Sequence, residues 1–258
     1  MDYTLTSVEV DGEELTVVQF PALGAPHGSS TRLGGVSQGA FESLNLGYTA
    51  GDEATAVDVN RGRFARALGF EAVPWTLSMV HGTEVAVLAE PLAGRPRADA
   101  CITDCPGLPM SITTADCVPI IFHDPVRKAV GLAHAGWRGT VGGIARSTIE
   151  AMTAHYGTRP CDLRVALAPA IGPDAFLVDA DVAEPFEHRF SGQDLVVKRT
   201  NKWAINLWEA NRQVLCQSGV PSEQIFACEL CTFERPDLFF SYRREKGRTG
   251  RLLTAVTL

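Results

Sequence analysis

The chain has 258 residues, of which 45% are hydrophobic and 21% are charged, so it is long enough to bury a substantial core. Its formal net charge of −7 argues against a general nucleic-acid binder and against binding to anionic membranes. The first residues lack a basic region followed by an apolar run, and the densest apolar run, 118–122, is too short to span a bilayer, so we expect neither a signal peptide nor a membrane span.

The first part of the chain predicts a hairpin, a loop and a helix. Apolar and polar residues alternate within the first twenty residues, which predicts an opening hairpin. Residues 24–47 are rich in glycine and hydroxyl side chains, so we expect a long ordered loop, and such loops are often functional. The stretch 51–69 predicts a helix with Asp52 as its cap and Gly69 as its stop.

Short apolar runs dominate the centre of the chain and predict strands. Each run ends at or near Gly, Pro or Asp, as buried strands commonly do. The runs cover residues 76–88, 98–104, 109–117, 118–124, 129–136 and 164–172.

Two helices are predicted in the second half of the chain. After the segment AHAGWRGT, apolar residues recur at helical spacing from Val141 to Met152, and Gly157 closes this helix. A second helix is predicted over 205–219, where Asn206 and Glu209 have the spacing of a capping box.

The C-terminal part completes the fold-class prediction. We expect a strand within 224–230 and a closing hairpin within 238–258, folded across a basic turn. No repeat or long linker interrupts the chain, so we predict one domain over residues 1–258. Helices and strands are interspersed, which predicts an α/β (mixed α+β) class with mixed β-sheets layered against helices.

Seven cysteines are scattered along the chain without a disulfide-rich pattern. This usage favours reduced thiols in a cytoplasmic protein. Cys228 and Cys231 form a C-x-x-C pair, but no second pair lies at zinc-ribbon spacing, so we expect both thiols to pack as core residues.

Two histidines and one cysteine stand at the ends of separate apolar runs. These are His81, Cys117 and His134. If the three side chains converge at one sheet edge, they form a suitable ligand set for Zn²⁺, with a fourth position left for water or substrate. The residues alone leave a second interpretation open, in which the histidines bind backbone carbonyls and the thiol packs as a small hydrophobic group.

Basic residues provide candidates for contact with an anion. Arg138 lies where a strand is predicted to turn into a helix, and backbone N–H groups there favour an anion. Arg32 and Arg243 are further candidates for phosphate contact, and Asn45 is a candidate for substrate contact. Arg138 could equally pair with a neighbouring acid, and the basic tail could be a solvated turn.

Seven ordered sequence blocks resemble the YfiH-like family, which is also labelled laccase-domain or multicopper polyphenol oxidase. The blocks are TRLGGVSQGAFESLNLG, VHGTEV, ADACIT, TADCVPI, AHAGWRGT, APAIGP and FFSYRREKGRTGR. The resemblance implies a YfiH-like (cysteine-hydrolase-like) fold with Zn²⁺ ligands at His81, Cys117 and His134. The chain departs from the family at Met79, where Gln is frequent, and at Asp174 and Ala175, where many relatives carry a cysteine.

The resemblance implies a zinc-dependent purine nucleoside enzyme as the favoured function. Such relatives are credited with phosphorolysis of adenosine, inosine, guanosine and methylthioadenosine and with deamination of adenosine, so the expected ligands are a nucleoside and phosphate. On this hypothesis Cys117, His134 and Asp116 are the catalytic residues, with Asp116 or Glu84 as a proton shuttle. Oligomeric state is not predicted.

Two alternative activities follow from the same residues. A cysteine-type hydrolase would use Cys117 as nucleophile and His134 or His81 as base, with Asp116 nearby. The resemblance implies its substrate, because some relatives are labelled peptidoglycan editing factors, so the hydrolase would be an amidase that edits peptidoglycan precursors. A copper-dependent polyphenol oxidase is disfavoured, because six histidines without an H-x-H pair are too few to hold several coppers. Cu²⁺ can nevertheless replace Zn²⁺ at a His/His/Cys site.

Overall fold

The structure is a computed structural model that describes residues 2–90, 94–190 and 195–258. The helices within these ranges are α1 (Ala54–Ala67), α2 (Trp137–Gly142), α3 (Ile144–Tyr156), α4 (Ala180–Arg189) and α5 (Leu207–Gln217). The strands are β1 (Thr4–Val10), β2 (Glu13–Gln19), β3 (His27–Ser30), β4 (Trp75–Thr76), β5 (Val85–Val87), β6 (Ala100–Thr103), β7 (Met110–Thr114), β8 (Val118–Asp124), β9 (Ala129–Ala135), β10 (Arg164–Leu167), β11 (Leu177–Val178), β12 (Val196–Lys198), β13 (Trp203–Ile205), β14 (Ile225–Ala227) and β15 (Leu252–Val256).

Two six-stranded sheets form the centre of the molecule. Sheet 1 has the strand order β1-β2-β3-β15-β7-β4, and sheet 2 has the order β14-β10-β8-β9-β6-β5. Most neighbouring strands are antiparallel, whereas β4 with β7, β5 with β6, and β10 with β14 are parallel. A small third sheet has the order β11-β13-β12. The predicted mixed-sheet class is therefore confirmed.

Three apolar clusters show how the layers stack. Side chains of sheets 1 and 2, including Ile112 and Leu132, pack against each other in one buried cluster. The opposite face of sheet 1 packs on α1 through residues such as Leu253 and Phe64. The opposite face of sheet 2 packs on the remaining helices, as Ile149 of α3 shows. The layer order is thus α1, sheet 1, sheet 2 and the other helices.

The alternation of side chains along a strand explains how β9 contributes residues to two apolar clusters. In β9, Ala133 and Ala135 lie on the helix side of sheet 2, while Val130 and Leu132 lie between the sheets. Alternation places His134 on the same side as Val130 and Leu132. The sequence of this buried strand therefore brings a polar side chain to the region between the two sheets.

Several predicted elements are confirmed. The opening hairpin forms from β1 and β2 in antiparallel register. The 205–219 helix is α5, and the Asn206 side chain accepts a hydrogen bond from the Glu209 backbone N–H, as the capping spacing predicts. The predicted long loop at 24–47 includes strand β3 but otherwise has no regular strand or α-helix. Asn60 anchors this loop, since its buried side chain hydrogen-bonds Val36, Ser37, Ser43 and Asn45.

Two predictions about the helices are wrong. Asp52 does not cap α1, because its carboxylate instead binds Ser37 and Asn45 in the loop, and Glu53 occupies the capping position. The helix after residue 140 is two helices, α2 and α3, separated by Gly143 at a φ of 90°. A left-handed residue ends a helix, and glycine adopts that conformation at little cost.

The predicted C-terminal hairpin does not form, because residues 238–250 are turns and only β15 is a strand. β15 instead pairs with β3 and β7 in the middle of sheet 1. Sequence reasoning also missed α4 and the small third sheet. Pro185 lies inside α4, and an internal proline normally indicates a helix break. No helix within the described ranges is long and apolar enough to cross a membrane.

Candidate metal centre and active site

The three predicted ligands meet where the chain passes between the two central sheets. His81 lies in the connection from β4 in sheet 1 to β5 in sheet 2, and Cys117 lies in the connection from β7 to β8. His134 lies near the end of β9, directly across from Pro119. The ligand atoms of the three side chains all lie within 4.8 Å of one another. The predicted convergence is confirmed, although it occurs at a crossing between sheets and not at one sheet edge.

Asp99 organises the backbone around His81. Its carboxylate accepts hydrogen bonds from three consecutive backbone N–H groups, those of Val80 (3.2 Å), His81 (2.9 Å) and Gly82 (2.7 Å). His81 has a φ of 61°, which is in the left-handed region and is unusual for a residue other than glycine. The buried carboxylate therefore stabilises a strained turn that presents an exposed imidazole.

The same carboxylate also fixes the orientation of His134. Asp99 Oδ1 lies 2.9 Å from His134 Nδ1, and both side chains are buried. Burial raises the pKa of Asp99, but the hydrogen bonds from His134, Gly82 and His81 outweigh it and bring this pKa to about 2. An ionised Asp99 accepts the Nδ1 proton of His134 and leaves Nε2 as the available ligand atom.

Cys117 is placed where its thiolate is favoured. Burial alone would raise the pKa of Cys117, but the positive charge and hydrogen bonds of His134 and His81 lower it below its ordinary value. The thiolate raises the pKa of His134 in return, against the effect of burial. A thiolate between two imidazoles is both a metal ligand and a nucleophile, so this local chemistry alone permits either use.

The donor set fits Zn²⁺. Two imidazole nitrogens and one thiolate are ligands of catalytic zinc sites that retain an open fourth position. A carboxylate–histidine pair such as Asp99–His134 is the usual second layer of such a site. Gly136 leaves room for the group, because a Cβ there would lie 3.0 Å from His81 Cδ2 and 3.1 Å from Cys117 Sγ. These observations identify His81, Cys117 and His134 as residues that could hold a metal.

A cavity of about 490 Å³ opens beside the three ligands. Its walls combine apolar and aromatic side chains with hydroxyl and charged groups, which is typical of a site for a small organic molecule. The lining residues include the three ligands together with Thr49, Met79, Thr113, Thr114, Ala115, Asp116, Ile171, Phe176, Tyr242, Arg243 and Arg251.

Asp116 lies in the cavity wall, but both of its carboxylate oxygens are already engaged. Oδ1 accepts a hydrogen bond from Thr232 Oγ1 at 2.7 Å, and Oδ2 accepts one from the Arg243 backbone N–H at 2.7 Å. Its backbone carbonyl accepts from Ile171 N at 2.9 Å. Asp116 therefore joins the segments around Ile171, Thr232 and Arg243, and its predicted role as a proton shuttle stays a prediction.

Two arginines from the basic tail reach the cavity. Arg243 donates from its guanidinium to the Leu177 carbonyl at 2.8 Å and lies over the Phe176 ring at 5.2 Å. Arg251 donates to the carbonyls of nearby residues in its own loop and lies over the Tyr242 ring at 5.6 Å. Arg243 was predicted as a contact residue, whereas Arg251 belongs to the basic tail and was not singled out.

The other three predicted contact residues are not among the described residues that line this cavity. Arg32 donates to the carbonyls of Glu42 and Pro236 and lies over Phe240. Asn45 is buried and accepts a hydrogen bond from the Arg251 backbone N–H, so it positions a lining residue. Arg138 lies over the ring of its neighbour Trp137 at 4.3 Å. Their predicted contacts with substrate or phosphate stay predictions without support from this geometry.

Asp99 is the functional residue that sequence reasoning missed. It is fully buried at the start of β6, next to small apolar residues, and a fully buried aspartate is rare unless its charge is paired. The block ADACIT contains that signal, because one acid lies within a run that is otherwise buried. Phe176 and Tyr242 were also missed, since nothing in their local sequence separates a cavity wall from a core.

The remaining histidines and cysteines lie apart from the centre. His27 and His123 are buried and bind the backbone carbonyls of Ala25 and Leu23. His155 and His188 are exposed. Cys228 and Cys231 are buried in the core, as expected for structural thiols. Within the described residues, the only group of three or more potential ligands is His81, Cys117 and His134.

Comparison with known proteins supports the fold and shows the family. A curated protein from Geobacillus stearothermophilus named "Purine nucleoside phosphorylase YlmD" is 38% identical over 249 residues, which cover 92% of this chain and 91% of that protein. "Purine nucleoside phosphorylase YfiH" from Escherichia coli K12 is 38% identical over 248 residues, covering 95% and 99%.

The solved structure of YlmD from Geobacillus stearothermophilus matches with a TM-score of 0.88 and 34% identity, and the match covers 98% of this chain and 99% of that one. These coverages leave almost no part of the fold without a counterpart. The predicted resemblance to YfiH-like proteins is therefore confirmed. The family model described as "Multi-copper polyphenol oxidoreductase laccase" matches residues 26–258, and the chain belongs to this family.

Proposed function

We propose that the chain is a purine nucleoside phosphorylase that holds one Zn²⁺ at His81, Cys117 and His134. The observation that carries this proposal is the position of the three ligands in the wall of a cavity of about 490 Å³. The names of the curated relatives support the reaction class, since they match this chain over nearly its full length.

The cavity offers the chemical groups that a nucleoside requires. Phe176 and Tyr242 supply aromatic rings against which a purine can stack, and Ile171 and Met79 add apolar surface. Arg243 and Arg251 supply guanidinium donors that can hydrogen-bond the ribose hydroxyls of the nucleoside. When bound, Zn²⁺ supplies Lewis acidity and can lower the pKa of a bound water toward about 7.

The proposed reaction is phosphorolysis of adenosine, inosine, guanosine and methylthioadenosine. A phosphate oxygen bonds to C1′ of the ribose, the C1′–N9 bond breaks, and the purine leaves with the electron pair and takes up a proton. We also propose deamination of adenosine, in which a water oxygen bonds to C6 and ammonia leaves. The chain's own contribution is to hold the ligands rigidly, through Asp99, and to position Arg243 through Asp116.

The donor set argues against the literal chemistry of the family's description. Several coppers require many histidines, whereas this chain has six and brings only two of them to the centre. A single Cu²⁺ could replace Zn²⁺ at the same three ligands. We therefore propose Zn²⁺ as the resident ion and treat copper as a substitute.

A cysteine hydrolase remains the second candidate, because the structure presents a Cys–His–Asp chain. His134 hydrogen-bonds Asp99 through Nδ1, and its ligand nitrogen lies within 4.8 Å of Cys117 Sγ, which is the arrangement of a nucleophile, a base and an orienting acid. Asp99 takes the position of the orienting acid, whereas Asp116, which lies next to Cys117 in sequence, is engaged by Thr232 and Arg243. Ligation of a metal and free nucleophilic attack exclude each other at Cys117, so metal content separates this amidase hypothesis from the phosphorylase.

The reaction is proposed to take place in the cytoplasm. The seven cysteines are free thiols, which fits a reducing compartment.

The decisive experiment incubates the purified protein with adenosine, with and without inorganic phosphate, and separates the products by chromatography. Adenine that appears only with phosphate would support phosphorolysis, and inosine would support deamination. Cys117→Ala should abolish both products, whereas Cys161→Ala removes an exposed thiol and should retain them. If wild type releases neither adenine nor inosine, the nucleoside hypothesis is wrong.

A further inference from the structure

A smaller cavity adjoins the one at the metal centre. It has a volume of about 130 Å³ and shares Thr49, Met79 and Thr113 with the larger cavity. We call it the side pocket, and its other lining residues are Tyr48, Arg61, Thr76, Leu77, Ser78 and Arg95. It is too small for a nucleoside, but it is large enough for a tetrahedral anion.

Arg61 brings a buried positive charge to the side pocket. The residue is only 3% exposed, and its guanidinium donates to the carbonyls of Leu46 (2.8 Å) and Pro74 (3.0 Å). Among the described residues, no carboxylate lies within ion-pair distance of it. Burial lowers the pKa of Arg61 to about 10, so the group is still charged at neutral pH. A buried charge without a counterion is costly, which indicates a use for it.

Arg95 brings a second guanidinium to the same place. Its Cζ lies 4.7 Å from the Tyr48 ring centroid, and the Cζ of Arg61 lies 5.3 Å from the same centroid. The Tyr48 hydroxyl donates to Asp58 Oδ1 at 2.6 Å, but this carboxylate forms no ion pair with either arginine. Two cations thus gather round one ring, and the described part of the chain provides neither with a paired anion.

Thr76 gives an independent indication of a missing ligand. The residue is 7% exposed, it lines the side pocket, and its Oγ1 is a buried polar atom without a hydrogen-bond partner in the described chain. Buried hydroxyl groups are nearly always hydrogen-bonded, so each exception calls for an explanation. An oxygen of a bound anion would accept from this hydroxyl.

We propose that the side pocket is a phosphate subsite, in which a phosphate group is held by Arg61, Arg95 and Thr76. Two guanidinium groups with planar donors match the tetrahedral oxygens of a phosphate group and can bind them in bidentate fashion. If the subsite holds the inorganic phosphate that phosphorolysis consumes, the inference rests on the proposed function. If the subsite holds the phosphate group of a nucleoside monophosphate, the inference is independent of that function.

The first test measures binding of inorganic phosphate by calorimetry to wild type, Arg95→Gln and Thr76→Val. Arg97→Gln is the matched control, because it removes an exposed positive charge two residues away, outside the pocket. We expect Arg95→Gln to weaken binding about 10- to 100-fold, as loss of a charge-assisted contact does. Thr76→Val should weaken it about fivefold with the fold intact, because valine has nearly the same shape.

Two further measurements separate the sources of the phosphate and the two proposals. In phosphorolysis, Arg95→Gln should raise the KM for phosphate and leave kcat nearly unchanged. If wild type binds adenosine monophosphate more tightly than adenosine, and Arg95→Gln loses this difference, the ligand of the subsite is a phosphate monoester. Phosphate binding that requires Arg95, in a protein without phosphorolysis, would support the subsite and refute the proposed reaction. Failure of wild type to bind either phosphate, or equal binding by wild type, Arg95→Gln and Thr76→Val, would overturn the subsite.

Discussion

Asp99 Oδ1 accepts hydrogen bonds from two of the three candidate metal ligands, from the Nδ1 of His134 at 2.9 Å and from the backbone N–H of His81 at 2.9 Å. One buried carboxylate oxygen therefore couples the side chain of one ligand to the backbone of another. The two ligands are 53 residues apart in sequence, and Asp99 lies between them in the chain. Its removal should disturb the centre more than the loss of one hydrogen bond would suggest.

Asp99→Asn should weaken the affinity for Zn²⁺ by about 10- to 100-fold, as substitutions behind a metal-ligating histidine do. The neutral amide accepts the hydrogen bond from His134 Nδ1 more weakly than the ionised carboxylate does. The affinity can be measured by competition with a fluorescent chelator. Asp104→Asn changes an exposed acid five residues away and should leave the affinity unchanged. Equal affinity in Asp99→Asn and wild type would show that Asp99 does not support the ligands.

Metal analysis of the purified protein should find about one zinc per chain, because the described residues contain a single group of three ligands. Cys117→Ala should lose this zinc, and Cys161→Ala, at an exposed thiol, should keep it. Mass spectrometry after iodoacetamide treatment tests the alternative, in which Cys117 is a free thiol. A metal-free wild type that is labelled at Cys117 would favour the cysteine hydrolase.

Gly136→Ala should weaken metal binding without a change at any ligand. The new Cβ would lie 3.0 Å from His81 Cδ2 and 3.1 Å from Cys117 Sγ, so both ligands would have to shift. Overpacking on this scale costs about 1–3 kcal/mol, and here it acts on the metal-bound geometry. Chelator competition and thermal unfolding, each with and without zinc, measure the effect.

Gly62→Ala provides the contrast for that prediction. Gly62 lies within α1, where its Cβ would meet only the flexible end of Arg66. We expect Gly62→Ala to raise the free energy of unfolding by about 0.5–1 kcal/mol and to leave zinc affinity unchanged. If both glycine variants bind zinc like wild type, close packing at Gly136 does not constrain the ligands.

Stability should fall as the pH falls below about 6.5, in part because of His27 and His123. Burial lowers the pKa of both imidazoles below the ordinary value, so the folded chain keeps them neutral while the unfolded chain takes up protons. Their stabilising contribution is therefore present above pH 6.5 and is lost as the pH falls below it, by at most about 1.4 kcal/mol per pH unit for each group.

Urea unfolding from pH 7.5 to 5 tests this prediction. His27→Gln should show a smaller loss of stability with falling pH than wild type, and His188→Gln, at an exposed position, should match wild type. An unchanged pH dependence in His27→Gln would contradict the assignment of a buried neutral imidazole.

Local patterns predicted the regular elements well where a single rule applied. Alternation predicted the β1–β2 hairpin, and the Asn206–Glu209 spacing predicted the start of α5. Prediction failed where distant contacts override local preference. Asp52 has the chemistry of a helix cap, yet its carboxylate binds Ser37 and Asn45 in the loop instead.

The site residues, like the regular elements, could be predicted from sequence only where a local pattern marks them. His81, Cys117 and His134 could be selected because each stands at the end of an apolar run, where a strand delivers a side chain to an end of the sheet. The arginines could not be ranked in this way, since a guanidinium on a long side chain reaches in many directions. The structure places Arg243 and Arg251 at the cavity and Arg32 and Arg138 elsewhere.

The sequence by itself determined the class of fold and the three candidate ligands, because apolar periodicity and the chemistry of His and Cys are local properties of the chain. Only the tertiary structure decided that Asp99 supports the ligands and that Asp116 is engaged by Thr232 and Arg243. Those contacts join residues 35, 116 and 127 positions apart. The first exists because β9 pairs with β6 in sheet 2, and the other two exist because the fold brings the turns around 232 and 243 to the connection between β7 and β8.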